Sequence, residues 1–134
     1  MRETMRRYAL KTSVDLPFDE ADQRVRQELE KEGFGILTEI DVKETLKKKL
    51  EVEFRPYRIL GACNPPLAHR ALSAETEIGL LLPCNVVVYE GDDANTSVVA
   101  AVDPVVQLGV TENEELESLA REVRARLERV LDAL

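Results

Sequence analysis

Val86-Val87-Val88-Tyr89-Glu90-Gly91-Asp92-Asp93-Ala94-Asn95-Thr96-Ser97-Val98-Val99-Ala100-Ala101-Val102 decides the fold. Two runs rich in β-branched residues, 86–89 and 96–102, flank a Gly-Asp-Asp turn. That pattern reads as two antiparallel arms of a hairpin. An antiparallel sheet packs one face on a core and can leave the other to solvent. Just upstream, residues 80–82 and 86–89 flank Pro83. A proline cannot donate to a strand ladder, so Pro83 marks a bulge, an edge or the true start of the strand. Downstream, Asp103-Pro104 ends the return arm.

On the C-terminal side the pattern changes period. Leu116, Leu119, Ala120, Val123, Leu127, Val130, Leu131 and Leu134 form one continuous helical stripe. Thr111 and Glu114 have the spacing of a capping box at its start. Glu117 with Arg121, and Glu122 with Arg126, are favourable four-apart pairs. Such a helix must bury its stripe on the sheet or on a partner.

On the N-terminal side, residues 6–16 alternate with period two, placing Tyr8, Leu10, Thr12 and Val14 in one phase. Pro17 opens a helix whose apolar positions are Phe18, Ala21, Val25 and Leu29, with Asp22, Arg26 and Glu30 toward water. Gly33 supplies its left-handed stop. Phe34, Ile36, Thr38 and Ile40 define a second strand in one phase. Asp41 and Glu44 then cap a short helix through Leu46 and Leu50. Residues 57–62 form a third strand, after which Asn64 caps and Pro65 opens a helix through Leu67, Ala68, Ala71 and Leu72. The order is strand, helix, four strands, helix, with two short helices inserted. The expected fold class is α+β, an antiparallel sheet with long helices on one face, in one domain over residues 1–134.

Composition narrows the function classes. The chain has 134 residues, 44% hydrophobic and 33% charged, with net charge −8. Chains of that length fold on one hydrophobic core without disulfide or metal. The acidic balance argues against nucleic acid as a partner. The Lys47-Lys48-Lys49 run reads as the solvated face of a short helix. No stretch approaches the roughly 20 apolar residues that span a bilayer, so no membrane partner is expected. The basic start, residues 1–11, is followed by Asp15 and Asp19 and not by a signal-peptide core. A cytoplasmic location follows as the expectation, with both cysteines reduced.

Chemistry concentrates at two strand ends. Cys63-Asn64 closes one strand, His69 lies on the next helix, and Cys84-Asn85 opens another strand. Those five residues, Cys63, Asn64, His69, Cys84 and Asn85, are the candidate ligand-binding set. Cys63, Cys84 and His69 are also the candidate set for a metal or a redox dithiol. Against that, there is no Cys-x-x-Cys pair and no nameable fourth ligand, and cysteine is a common core residue. A Cys–His nucleophile pair would need an orienting third group, and none is evident. No phosphate loop or serine elbow exists, so no catalytic residue is assigned, and the cofactor is unknown.

Three blocks carry a family resemblance. Residues 33–42 (GFGILTEIDV), 54–65 (FRPYRILGACNP) and 80–86 (LLLPCNV), with Asp103-Pro104, resemble the signature of domain-of-unknown-function family 302. The blocks match without departure and span nearly the whole chain. The resemblance implies the strand, helix, four strands, helix order, a TATA-box-binding-protein-like class of fold, and a homodimer. It implies no activity and no catalytic residue, and a shared fold does not import DNA binding. The two function classes that stand are a homodimeric domain for a small ligand or a protein, and a thiol-dependent metal-binding or redox protein.

Overall fold

The structure, a computed structural model, describes residues 7–134 and the backbone of residues 2 and 3. Six strands form one sheet: β1 (Arg2–Glu3), β2 (Ala9–Val14), β3 (Gly35–Asp41), β4 (Tyr57–Cys63), β5 (Cys84–Glu90) and β6 (Ser97–Val102). Their order is β1-β2-β6-β5-β4-β3, and every neighbouring pair is antiparallel. The expected hairpin is β5–β6, with Val86 opposite Ala101 and Glu90 opposite Ser97. The helices are α1 (Phe18–Lys31), α2 (Val42–Leu50), α3 (Pro65–Ala74), α4 (Pro104–Gly109) and α5 (Glu114–Asp132), with a 3-10 turn at Thr76–Leu81.

Register sorts the sheet residues between two faces. Leu10, Thr12 and Val14 point the same way as Val99, Ala101, Val86, Val88 and Leu60. That face meets Val25 and Leu29 of α1 and the stripe of α5, and these residues are buried. Burying each such aliphatic side chain is worth about 1.5–3 kcal/mol, which is what fixes the layers. α1 lies against β5 and β6, and α5 against α1, α3, α4 and β2. The opposite face carries Lys11, Val98, Ala100, Val87, Tyr89, Tyr57 and Ile59, all partly exposed. There Tyr57 and Tyr89 stack at 5.3 Å, and Phe54 tilts against Tyr57 at 6.1 Å. Partial burial, with the phenols of Tyr89 and Tyr8 nearby, pushes the Tyr57 phenol up.

Several expectations change. The strand expected over 6–16 is β2, which is shorter, Ala9–Val14; Arg6 lies outside the described residues. Asp22 does not face water. It is buried, paired with Arg26 at 2.8 Å and with Arg58 at 3.3 Å, and it ties α1 to β4. A carboxylate enters a sheet interface when two guanidiniums replace its water. The single phase expected for β3 is broken by a bulge at Leu37: Ile36 pairs with Ala62, but Thr38 pairs with Gly61. Thr38 and Ile40 therefore turn to the open face, while Glu39 reaches Arg26 of α1. Pro83 marks the strand start, because residues 76–81 are helical and β5 begins at Cys84. Asp103 does more than end β6. Its carboxylate caps α4, a helix the sequence reading lacked, by accepting from the Val105 amide at 2.9 Å. The cap of α5 is Asn113, which accepts from the Glu115 amide, and not Thr111. The Thr111 hydroxyl instead donates to the Leu108 carbonyl.

Two glycines are forced by geometry. Gly33 has φ +88°, and a Cβ there would come within 2.8 Å of the Asn64 side chain. Gly61 lies under Thr38 and Pro83, and its Cβ would meet Pro83 at 2.8 Å and overlap the Thr38 hydroxyl. We expect Gly61→Ala to lose about 1–3 kcal/mol in urea unfolding, the scale of overpacking. Adding Thr38→Ala should recover part of that loss. Equal stability of Gly61→Ala and the unsubstituted chain would show that the β3–β4–Pro83 contact is not the constraint.

Candidate functional site

The ends of β4 and β5, the turn after α3, and the helices above them do not close completely. They enclose an apolar cavity of about 240 Å³. Ala62, Cys63 and Cys84 form its sheet wall, with Phe34 and Leu37 from the β3 side. Leu67, Ala68, Ala71 and Leu72 come from α3, and Leu119 and Val123 from α5. Gly79, Leu82 and Pro83 close the third side. Leu37 and Leu72 are exposed at the mouth, next to a still more exposed Leu80.

The polar groups at the cavity are engaged elsewhere. Asn64 caps α3 by accepting from the Leu67 amide at 3.3 Å, and donates through Nδ2 to the Glu32 carbonyl at 3.4 Å. Arg126 of α5 donates to the same carbonyl at 2.9 Å. The Gly33–Asn64 junction thus joins the end of α1, the start of α3 and the middle of α5. The Cys84 thiol faces Gln107 Oε1 at 3.8 Å, and Gln107 Nε2 donates to the Leu81 carbonyl at 2.6 Å. Burial, with some contribution from neighbouring Cys63, pushes the Cys84 thiol up to about 11. A thiol held neutral in this way is a poor nucleophile and a poor metal ligand at neutral pH. Both cysteines are free, Cys84 buried and Cys63 partly exposed.

Of the five candidate residues, Cys63, Asn64 and Cys84 line this cavity. His69 does not. It is exposed on the other side of α3, in a shallow depression with Arg70, Ser73 and Glu115. Asn85 pairs with Gly61 and is exposed on the open face of the sheet, pointing away from Cys84. The three-ligand set Cys63, Cys84, His69 is therefore not assembled, and among the described residues no group of three His, Cys, Asp or Glu is placed to hold a metal ion. The reason is periodicity: Leu67 and Ala71 face inward on α3, and a residue two places from each is carried outward. The sequence reading missed Phe34, Leu37, Leu67, Ala71, Leu119 and Val123 as site residues. Their only signal is amphipathic spacing, which is the same for a filled core and for a cavity wall.

A family model described as "Domain of unknown function DUF302" matches residues 10–134. A solved structure, "Crystal structure of uncharacterized conserved protein DUF302 from Bacillus stearothermophilus", is similar to this chain at 30% identity and a TM-score of 0.87. The similarity covers 95% of this chain and 98% of that one. No curated protein matches the chain. No helix among the described residues is long and apolar enough to cross a membrane.

The Cys84 environment has a measurable consequence. Its pKa is raised from 9.0 to about 11 by folding, so the folded state holds the proton more tightly. This contribution is fully present below pH 9 and is lost as pH rises toward 11, by about 2–3 kcal/mol. Urea unfolding between pH 8 and 11 should fall more steeply for the unsubstituted chain than for Cys84→Ala. Parallel curves would mean that the thiol titrates normally.

Proposed function

The chain belongs to the DUF302 family, and from that membership and its cavity we propose a cytoplasmic, homodimeric domain that binds a small uncharged apolar molecule. The carrying observation is the wall of the cavity. Its lining side chains are all uncharged, and the amide of Asn64 is spent on its helix cap and on Glu32. A charged guest would enter without a counter-charge, which is costly. A hydrocarbon ring or short chain would replace unsatisfied apolar surface at no such cost. The volume suits this reading, since an apolar cavity of about 150 Å³ already accepts benzene. Free thiols support a reducing compartment. The open, partly aromatic sheet face supports self-association.

The dithiol or metal reading is the weaker alternative, because His69 lies apart and the Cys84 thiol is pushed up.

The test pairs isosteres of different charge. Toluene should raise the melting temperature by several degrees at saturation, whereas benzoate should not. It should also slow maleimide labelling of Cys63, which lines the cavity and is partly exposed. Ala68→Phe, at a partly exposed wall position, should weaken the toluene effect about tenfold or more. An equal response to benzoate, or no response to toluene in either readout, would sink the proposal.

A further inference from the structure

Among the described residues four leucines are exposed: Leu37, Leu50, Leu72 and Leu80. Three of them stand at the mouth of the apolar cavity, and they come from three separate elements. Leu37 is the bulge residue of β3, Leu72 lies on α3, and Leu80 follows the lining Gly79 on the 3-10 turn. Their exposures are 66%, 43% and 83%. Single exposed leucines are ordinary on a protein surface, but three gathered around one opening form an apolar patch. Gly79 leaves free space beside them, since a Cβ there would meet nothing within 4 Å. The apolar wall of the cavity therefore continues outward past its mouth.

We propose that the guest is a linear hydrocarbon chain longer than the cavity, inserted end-on, with its uncharged head outside and its middle carbons on Leu37, Leu72 and Leu80. This rests on the apolar-guest reading above and names the class, a neutral long-chain amphiphile such as a fatty alcohol. Size sets the length. An apolar cavity of about 150 Å³ takes the six carbons of benzene, so 240 Å³ holds roughly eight to ten. A guest confined to that space would leave the three leucines in water, whereas a chain of about twelve carbons reaches onto them. Hydrogen bonding sets the direction. Inside, the Asn64 amide is spent on its cap and on Glu32, and the thiols of Cys63 and Cys84 are weak partners. A hydroxyl carried inward would lose its water without replacement, so the methyl end enters first. Charge sets the head. Glu77 is exposed and stands three residues before Leu80 on the 3-10 turn, hence on the same face, where an anionic head would meet like charge. Three side chains also fall well short of the roughly 800 Å² that a protein partner covers, which favours a single chain as the occupant.

Primary alcohols of eight, ten and twelve carbons decide it, with the half-saturating concentration read from protection of Cys63 against maleimide. Each carbon from eight to ten should lower that concentration about fourfold, the step of full burial. Each carbon from ten to twelve should lower it about twofold, because the leucines cover one side of the chain only. Leu80→Ser, at an exposed position outside the cavity wall and therefore benign to the fold, should leave toluene and 1-octanol unchanged and remove most of the gain from ten to twelve. 1,10-Decanediol should bind at least about tenfold more weakly than 1-decanol, because one hydroxyl must go inside. A series that stops improving at ten carbons, or a Leu80→Ser chain that keeps the full gain, overturns the long chain while toluene protection upholds the apolar-guest reading. A diol that binds as well as 1-decanol overturns end-on insertion. Protection by neither toluene nor any alcohol overturns the apolar guest itself, and this inference with it.

Discussion

Hydrophobic burial on one face of the sheet is the constraint from which the rest of the molecule follows. Leu10, Leu60, Val86, Val88 and Val99 are fully or almost fully buried, and α1 and α5 exist as stable elements because they cover them. Everything distinctive lies where that coverage is incomplete. At one end of the sheet α3 and α5 bridge over the start of β5 without filling the space, leaving the cavity. On the far side of the sheet the described residues form no α1- or α5-like layer, and aromatic and branched side chains share the surface with Lys11.

The blocks that identify the family do structural work at the junctions around the cavity. Gly33 has the backbone angle that ends α1 and the lack of a Cβ that lets Asn64 approach. Asn64 then fixes where α3 starts, and so where Leu67 and Ala71 stand over Cys63 and Cys84. Gly61 accommodates Thr38 and Pro83 on the outer side of the same strands. A signature made of turns, caps and close approaches can therefore define the shape of a binding space without supplying one catalytic group.

The order of elements was legible because it rests on periodicities of two and 3.6, and on punctuation at Pro17, Gly33, Asp41, Asn64 and Gly91. What escaped depends on distant partners. Asp22 has the spacing of a solvent-facing position, and only the arrival of Arg58 from another strand makes its burial tolerable. The bulge at Leu37 has no local mark, so the sequence puts Thr38 and Ile40 in one phase with Phe34 and Ile36. Cys63, Asn64 and Cys84 are legible in the sequence as strand-end positions, and all three line the cavity. His69 and Asn85 followed them in sequence but are turned aside by helical and strand geometry.

The strand order also governs how the chain can be made. β3, β4, β5 and β6 are neighbours in sequence as in space, so each can pair as soon as it leaves the ribosome. β2 is different: Leu10 pairs with Ala101 and Val14 with Ser97, and α1 rests on β5 and β6. β2 must wait for most of the polypeptide before its partner β6 is made, and α1 before the strands it covers are complete. At ordinary synthesis rates that interval is on the order of ten seconds. Through it, Val25 and Leu29 lack the β5 and β6 surface that α1 covers in the folded chain, so the segment made first is the one completed last.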